Sequence, residues 1–238
     1  MMSVITTLSA ALVFLTTSSS NAFVIQPQRR SSPLYSLANN MDIASSIRFL
    51  GKGTRAIVRE GCVLIAPPDE FNHYLMQASV FIYAIGLDEY DEQVIRGVVL
   101  DNPTPFTMGE MAGVSGSLAG NLLYRGGNTG GEVAMMLHSE SELKRDEIGT
   151  SGIYEGGLEL AMVEDQEIDN FKFFFNYCEF SPIELETMLE TGDNGTDGDA
   201  WTSVEVPKEV ILEEWDKNEC WRFLRNVVRS KTSDENQQ

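Results

Sequence analysis

Four glycines in six residues, Gly126, Gly127, Gly130 and Gly131, separate the two apolar runs of LLYRGGNTGGEVAMMLHS (Leu122–Ser139). Glycine-rich loops cradle phosphates because backbone N–H groups can close on an anion only where side chains are missing. The neighbouring residues do not complete that chemistry. A G-x-x-x-x-G-K-S/T loop needs a lysine after its last glycine, and Gly131 is followed by Glu132, a negative charge in that place. The dinucleotide fingerprint G-x-G-x-x-G is also missing. The loop is expected to be a wide hairpin or bulge with positive-φ glycines. Arg125 before it and His138 beyond it are the polar groups that a pocket beside the loop would use.

Other chemistries find less material. His73 and His138 are the only imidazoles, and neither belongs to a recognisable triad; G-x-S-x-G does not occur. His138 is expected to be a strand-end histidine with a satisfied hydrogen bond. Cys62, Cys178 and Cys220 form no C-x-x-C pair, and their odd number rules out a complete internal disulfide framework. With two histidines besides, a four-ligand zinc site is not expected. TGDNGTDGDAWTSVE imitates a calcium loop when Gly198 takes the invariant glycine place, but Gly195 and Val204 then fall on ligand positions, so a flexible acidic insert is expected. No catalytic residue, metal or cofactor is assigned.

Charge narrows the partners. The chain has 238 residues and a formal net charge of −19, and 42 % of its residues are hydrophobic, enough to fill a globular core. So acidic a surface repels polyphosphates unless its cations gather on one face. Arg222, Arg225, Arg229 and Lys231 fall at helical spacings and are the only candidates for such a face. A solvated helix side is the simpler reading, and nucleic acid is disfavoured as a partner.

Residues 1–41 contain Arg29, Arg30 and no acid, with eight serines and four threonines. The apolar run Val4–Leu15 is short for a membrane span and suits a signal peptide, with Ser20-Asn21-Ala22 as its cleavage site. Phe23 and the basic, hydroxyl-rich VIQPQRRSSPLYS follow. This two-part address, residues 1–22 and 23–41, resembles the presequences of algae with extra plastid membranes, in which a phenylalanine just after the cleavage site directs import. It implies a plastid stromal protein; secretion is the alternative. No later run reaches the ~18 apolar residues of a membrane helix, so the mature protein is expected to be soluble.

These candidate residues must be held by secondary structure. MDIASSIRFL predicts a short amphipathic helix. Cys62–Ala66, Ser79–Ile85 and Gly97–Pro103 predict strands, with DEYDEQ as an exposed hairpin loop. Thr104 or Thr107 is a candidate helix cap. NLLYRGG and EVAMMLHS predict strands into and out of the glycine loop, GTSGIYEGG a strand and turn, GLELAMVED the start of a helix, and FKFFFNY a central strand. In SPIELETMLETG, Ser181, Pro182 and Glu184 spell a capping box with proline at the first helical position. WTSVEV predicts a strand, PKEVILEEWDKNECWRFLRNVV one or two helices, and residues 231–238 a disordered tail. Paired strands with irregularly interspersed helices mean an α+β fold with a mixed, mainly antiparallel sheet, in one domain over residues 42–230.

Four of these segments, in this order, resemble the YqgE/AlgH family: GCVLIAPP with SVFIYAI; GVVLDNP; YRGGNTGGEVAMMLHS; and FKFFFNYCEFSPIELETMLETG with its downstream tryptophan. There are departures. Asn128 stands where the family has proline, Asn176 replaces a glycine, Phe180 a tryptophan and Glu184 a glutamine. Either Asp101 or Asn102 takes the family's asparagine place. The resemblance implies a sheet curled toward a barrel with helices outside, and no established reaction. It implies a non-enzymatic binding or regulatory protein with an undetermined plastid protein partner, bound at a patch formed by Asn102, Pro103, Gly126 and Gly127. The alternatives are a small-ligand binder or enzyme whose pocket gathers Arg125 and His138, and, more weakly, a transcriptional regulator.

Overall fold

The computed structural model describes residues 41–143, 146–161, 167–191 and 200–235, all within one compact unit, Ser31–Gln238. Its strands are β1 (Arg48–Lys52), β2 (Cys62–Ile65), β3 (Ser79–Leu87), β4 (Gln93–Val99), β5 (Pro103–Thr107), β6 (Leu122–Arg125), β7 (Thr129–His138), β8 (Tyr154–Glu155), β9 (Phe171–Phe180) and β10 (Thr202–Glu205). Its helices are α1 (Met41–Ser46), α2 (Met108–Met111), α3 (Leu158–Ala161), α4 (Pro182–Glu190), α5 (Lys208–Leu212) and α6 (Glu219–Glu235).

The strands follow the order β1-β10-β2-β3-β4-β9-β6-β5, and β7 pairs with β9 and β8. Among the described strands every pairing is antiparallel except β6 with β9. The end strands β1 and β5 do not pair, so the sheet does not close into a barrel. This is the expected α+β architecture.

The strand runs alternate between two buried faces. Val63, Ile65, Phe81 and Tyr83 point to one core, against Val210, Ile211, Trp215, Phe223 and Leu224 of α5, α6 and their link. Cys62, Leu64, Val80 and Ile82 point to the other, where Leu185 and Leu189 of α4 and Trp201 pack. Covering both faces explains why these strands are continuously apolar. The capping box of α4 forms as predicted: Glu184 N–H donates to Ser181 Oγ (3.2 Å) and Ser181 N–H to Glu184 Oε2 (2.8 Å), an arrangement that contributes about 1 kcal/mol.

β9 organises the middle of the sheet. β6 pairs with it along Phe173–Phe175 and β7 along Phe171–Phe175. A strand has only two edges, so β6 and β7 lie on opposite sides of β9, and the glycine loop between them must cross it. The expected hairpin is therefore corrected to a crossover, since β6 and β7 do not pair. The expected bulge is present, as a register shift between Thr129 and Ala134, with positive φ at Gly130 and Gly131.

Three further expectations change. The predicted helix over MDIASSIRFL stops at Ser46, and Arg48–Lys52 instead pairs with β10, with Arg48 and Arg59 both ion-paired to Glu205. A six-residue helix is marginal by itself, and strand pairing satisfies more backbone groups. α6 runs to Glu235, into the segment expected to be a tail, because Lys231 donates to the carbonyls of Ser45 and Ile47. The presequence, the imitation calcium loop from Gly192 to Asp199, and the remainder of GLELAMVED after Ala161 lie outside the described residues.

Candidate binding site

Residues directly opposite one another on paired strands share a face. Leu123, Phe173 and Met136 form one row across β6, β9 and β7, and Arg125, Phe175 and Ala134 form the next row on the same face. The first row is buried beneath Met108, Val114 and Leu118 of α2 and the segment after it. That cover ends before the second row, leaving a cavity of about 720 Å³. Arg125, Phe175 and Ala134 line it together with β5, the loop after Pro67 and the turn before α6.

The crossover positions Arg125. Gly126 N–H donates to Phe175 O (2.9 Å), and Val99 N–H donates to Gly126 O (2.9 Å), so Gly126 ties β4, β6 and β9 together. A Cβ on Gly127 would lie 2.1 Å from the carbonyl carbon of Tyr177, and one on Gly126 would lie 2.4 Å from Asn176 O. These glycines are required because one backbone passes directly over another, with no phosphate involved. Asn176 beneath them has φ of 59°. That left-handed conformation is free to glycine and tolerated best by asparagine, which accounts for asparagine in the family's glycine place.

Arg125 extends from the end of β6 with its guanidinium carbon 5.1 Å from the Tyr74 ring centre and 5.9 Å from that of Phe175. Its Nε donates weakly to Gly127 O (3.4 Å). Tyr74 belongs to a loop pinned at both ends: Trp201 Nε1 donates to Glu70 (3.0 Å), and Asn218 Nδ2 to Gln77 (2.8 Å). Tyr74, Met76, Phe106 and Met111 are exposed at the cavity, an unusual concentration of apolar surface for one region.

The Asp101-Asn102-Pro103 turn divides its work. Asp101 accepts the N–H of Asn218 at its carbonyl (3.1 Å) and that of Trp221 at Oδ2 (2.9 Å), anchoring the start of α6. Asn102 O accepts the N–H of Arg125 (2.9 Å), and Asn102 and Pro103 line the cavity. Burial pushes the Asp101 carboxyl up to about 7 and the Lys172 ammonium down to about 8. Lys172 lies outside the cavity lining: it sits over the Tyr124 ring at 4.3 Å and donates to Glu213 O at 2.5 Å.

Asn102, Pro103 and Arg125 thus meet at one cavity. Gly126 and Gly127 adjoin it but are buried, so they shape the site rather than form its surface. His138 does not join them. It is fully buried at the far end of β7, stacked on Phe171 and Tyr154, and its Nδ1 accepts the Glu140 N–H (3.2 Å). This is the hydrogen-bonded strand-end histidine expected from the sequence, and the pocket expected to gather both Arg125 and His138 keeps only Arg125. The C-terminal cations do not form one exposed stripe, since Arg225 is buried and donates to Ala66 O (3.1 Å). All three cysteines are buried and free, and burial pushes their thiols up, Cys178 to about 12. No group of metal-ligating side chains occurs among the described residues, and no helix among them is long and apolar enough to cross a membrane. The sequence reading missed Tyr74, Phe175 and Lys217. Its available signal was aromatic and methionine side chains in the polar segment DEFNHYLMQ.

The AlgH-like family profile, DUF179, matches residues 64–231. In fold the chain is similar to the crystal structure of a Corynebacterium diphtheriae protein, at a TM-score of 0.51 and 15 % identity over 69 % of this chain and 84 % of that one. It is likewise similar to the solution structure of the AlgH protein of Pseudomonas aeruginosa, at 0.50 and 15 % over 71 % and 87 %. Identity this low carries the fold alone. No curated protein matches the sequence.

Proposed function

The chain belongs to the AlgH-like family, and on that premise we propose that it is a non-enzymatic binding protein of the plastid stroma whose ligand occupies the cavity over Arg125, Phe175 and Ala134. The observation that carries this reading is the setting of Arg125. Its guanidinium lies against two aromatic rings at the wall of a cavity and pairs with no carboxylate among the described residues. Ordering so long a side chain costs conformational entropy, and a polar group presented in a mostly apolar concavity is the usual anatomy of a ligand site. His138 takes no part at this cavity, because it is sealed against aromatic rings at the far end of β7.

The test fills the cavity. Ala134 is exposed on its floor, so Ala134→Trp should block the site and leave the fold intact. Small molecules released from the tagged protein and from this variant, both purified from the native cells, are compared by mass spectrometry. A compound retained by the wild type and lost from the variant is the expected result; identical extracts would end the reading. The stromal address rests on residues 1–41. Fused to a fluorescent protein, that segment should deliver it to the plastid, and Phe23→Ala should divert it.

A further inference from the structure

We infer that the ligand is a small organic anion, a carboxylate or sulfonate on an apolar body, held by its charged end at Arg125. This rests on the cavity being the binding site and goes on to name the chemistry that the cavity selects. Charge is the first argument. The chain carries a net charge of −19, and Arg48, Arg59 and Arg96 pair with Glu205 or Glu179. Arg125 and Lys217 do not pair with any carboxylate among the described residues, and both line the cavity, as does His73. The one acid in that lining, Asp101, is 1 % exposed and is engaged with the start of α6. The cavity is therefore a positive concavity in a negative protein, and low-dielectric walls focus such a field.

Geometry is the second argument. The guanidinium lies against the Tyr74 and Phe175 rings, and Nε turns toward Gly127 O. The terminal nitrogens have no hydrogen-bond partner among the described residues. A planar fork held against aromatic rings, with its terminal nitrogens unengaged, matches the two oxygens of a carboxylate or sulfonate. The third argument is the remaining lining. Met76, Phe106 and Met111 offer adaptable apolar surface, and about 720 Å³ is the size of small-molecule pockets. An extended peptide added to the sheet is a poorer occupant, because the adjoining edge strand β5 carries Pro103 and Pro105, which lack the N–H groups that such pairing needs.

The probes are anilinonaphthalene sulfonate and its uncharged parent, phenylnaphthylamine, titrated by fluorescence into the full chain, with circular dichroism checking the fold of each variant. The sulfonate should bind at least tenfold more tightly than the parent. Arg125→Met should remove that preference, a loss of about tenfold or more for the anion, with little change for the parent. Lys217→Ala, at an exposed position, should weaken the sulfonate by about threefold and stands in if Arg125→Met does not fold. Phe106→Asp should weaken both probes. Equal binding of the two probes, unaltered by Arg125→Met but abolished by Ala134→Trp, would overturn the anion inference and leave the cavity reading standing. Binding that no cavity variant alters, or no binding of either probe to the folded wild type, would overturn both.

Discussion

Two adjacent rows of side chains lie on one face of the same three strands, yet Leu123–Phe173–Met136 is core and Arg125–Phe175–Ala134 is the wall of a cavity. Backbone and register do not distinguish them; what covers them does. α2 and the segment after it close over the first row, whose members are 5 %, 1 % and 3 % exposed. The second row begins where that cover stops and where β6 turns into the crossover. A sheet face becomes a site when one end of it is left uncovered and the residues there include one that core packing would not choose. Arg125 is that residue. The two rows should therefore answer differently to substitution, the first in stability and the second in binding.

The crossover that ends β6 should show the largest effect. Gly127→Val drives a side chain into the Tyr177 backbone, which cannot yield as a flexible side chain could, and should cost about 4 kcal/mol or more, read as a lost or strongly shifted urea transition. Next come the two phenylalanines of β9. Phe173→Ala should cost about 3–5 kcal/mol through the cavity it leaves, whereas Phe175→Ala, only partly buried, should cost about 1 kcal/mol. Equal costs would mean that the second row is core after all.

Asp101 joins the cavity to α6 and should give a smaller, pH-dependent effect. Its carboxyl is raised from 3.8 to about 7 in the fold, so its neutral form is the stabilised one. That contribution is complete below about pH 4 and lost as pH rises to about 7. Lys172, lowered from 10.5 to about 8, acts in the opposite direction: its contribution is present above its unfolded value and lost as pH falls through about 8. Wild-type stability should therefore show a relative minimum near pH 7–8. In urea titrations Asp101→Asn should remove the decline on the acid side, gaining on the order of 2 kcal/mol over wild type near pH 7. A parallel decline in the variant would remove Asp101 as its source. Arg125→Met should have the smallest stability effect, within about 0.5 kcal/mol, because an arginine on an open wall supports little packing. A cost comparable to that of Phe173→Ala would assign Arg125 to the fold rather than to the site.

The elements easiest to read in the sequence were those governed by their own residues. SPIELETMLETG carries its cap, its proline and its stop within twelve positions, and it forms α4. Cys62–Ile65, Ser79–Leu87 and Phe171–Phe180 are strand-forming runs with turn residues around them, and all three are strands. Asn102, Pro103 and Arg125 flank strand ends near the glycine loop, and all three line the cavity. The glycine loop carries the expected bulge and positive-φ glycines, but it is a crossover rather than a hairpin. Nothing local in YRGGNTGG shows that a strand more than forty residues later inserts between its two arms. His138 was grouped with Arg125 because both border apolar runs, although Arg125 lies in the row of Ala134 and His138 in a row four residues further along β7, roughly 13 Å away. Tyr74 was overlooked because its segment looks like a polar loop and its partner, Arg125, is remote in sequence.

The sequence by itself determined most of the strands, the capped helix α4, the acidic charge and membership of the family, since each depends on residue type and short-range periodicity. Only the tertiary structure decided which edges of β9 receive β6 and β7, where the cover of α2 ends, and hence that Arg125 faces a cavity while His138 lies in the core. A strand's alternation specifies two faces without saying what lies against either. That choice is made by contacts between residues far apart in the chain, where burial of apolar surface and the satisfaction of backbone hydrogen bonds are settled for the whole molecule at once.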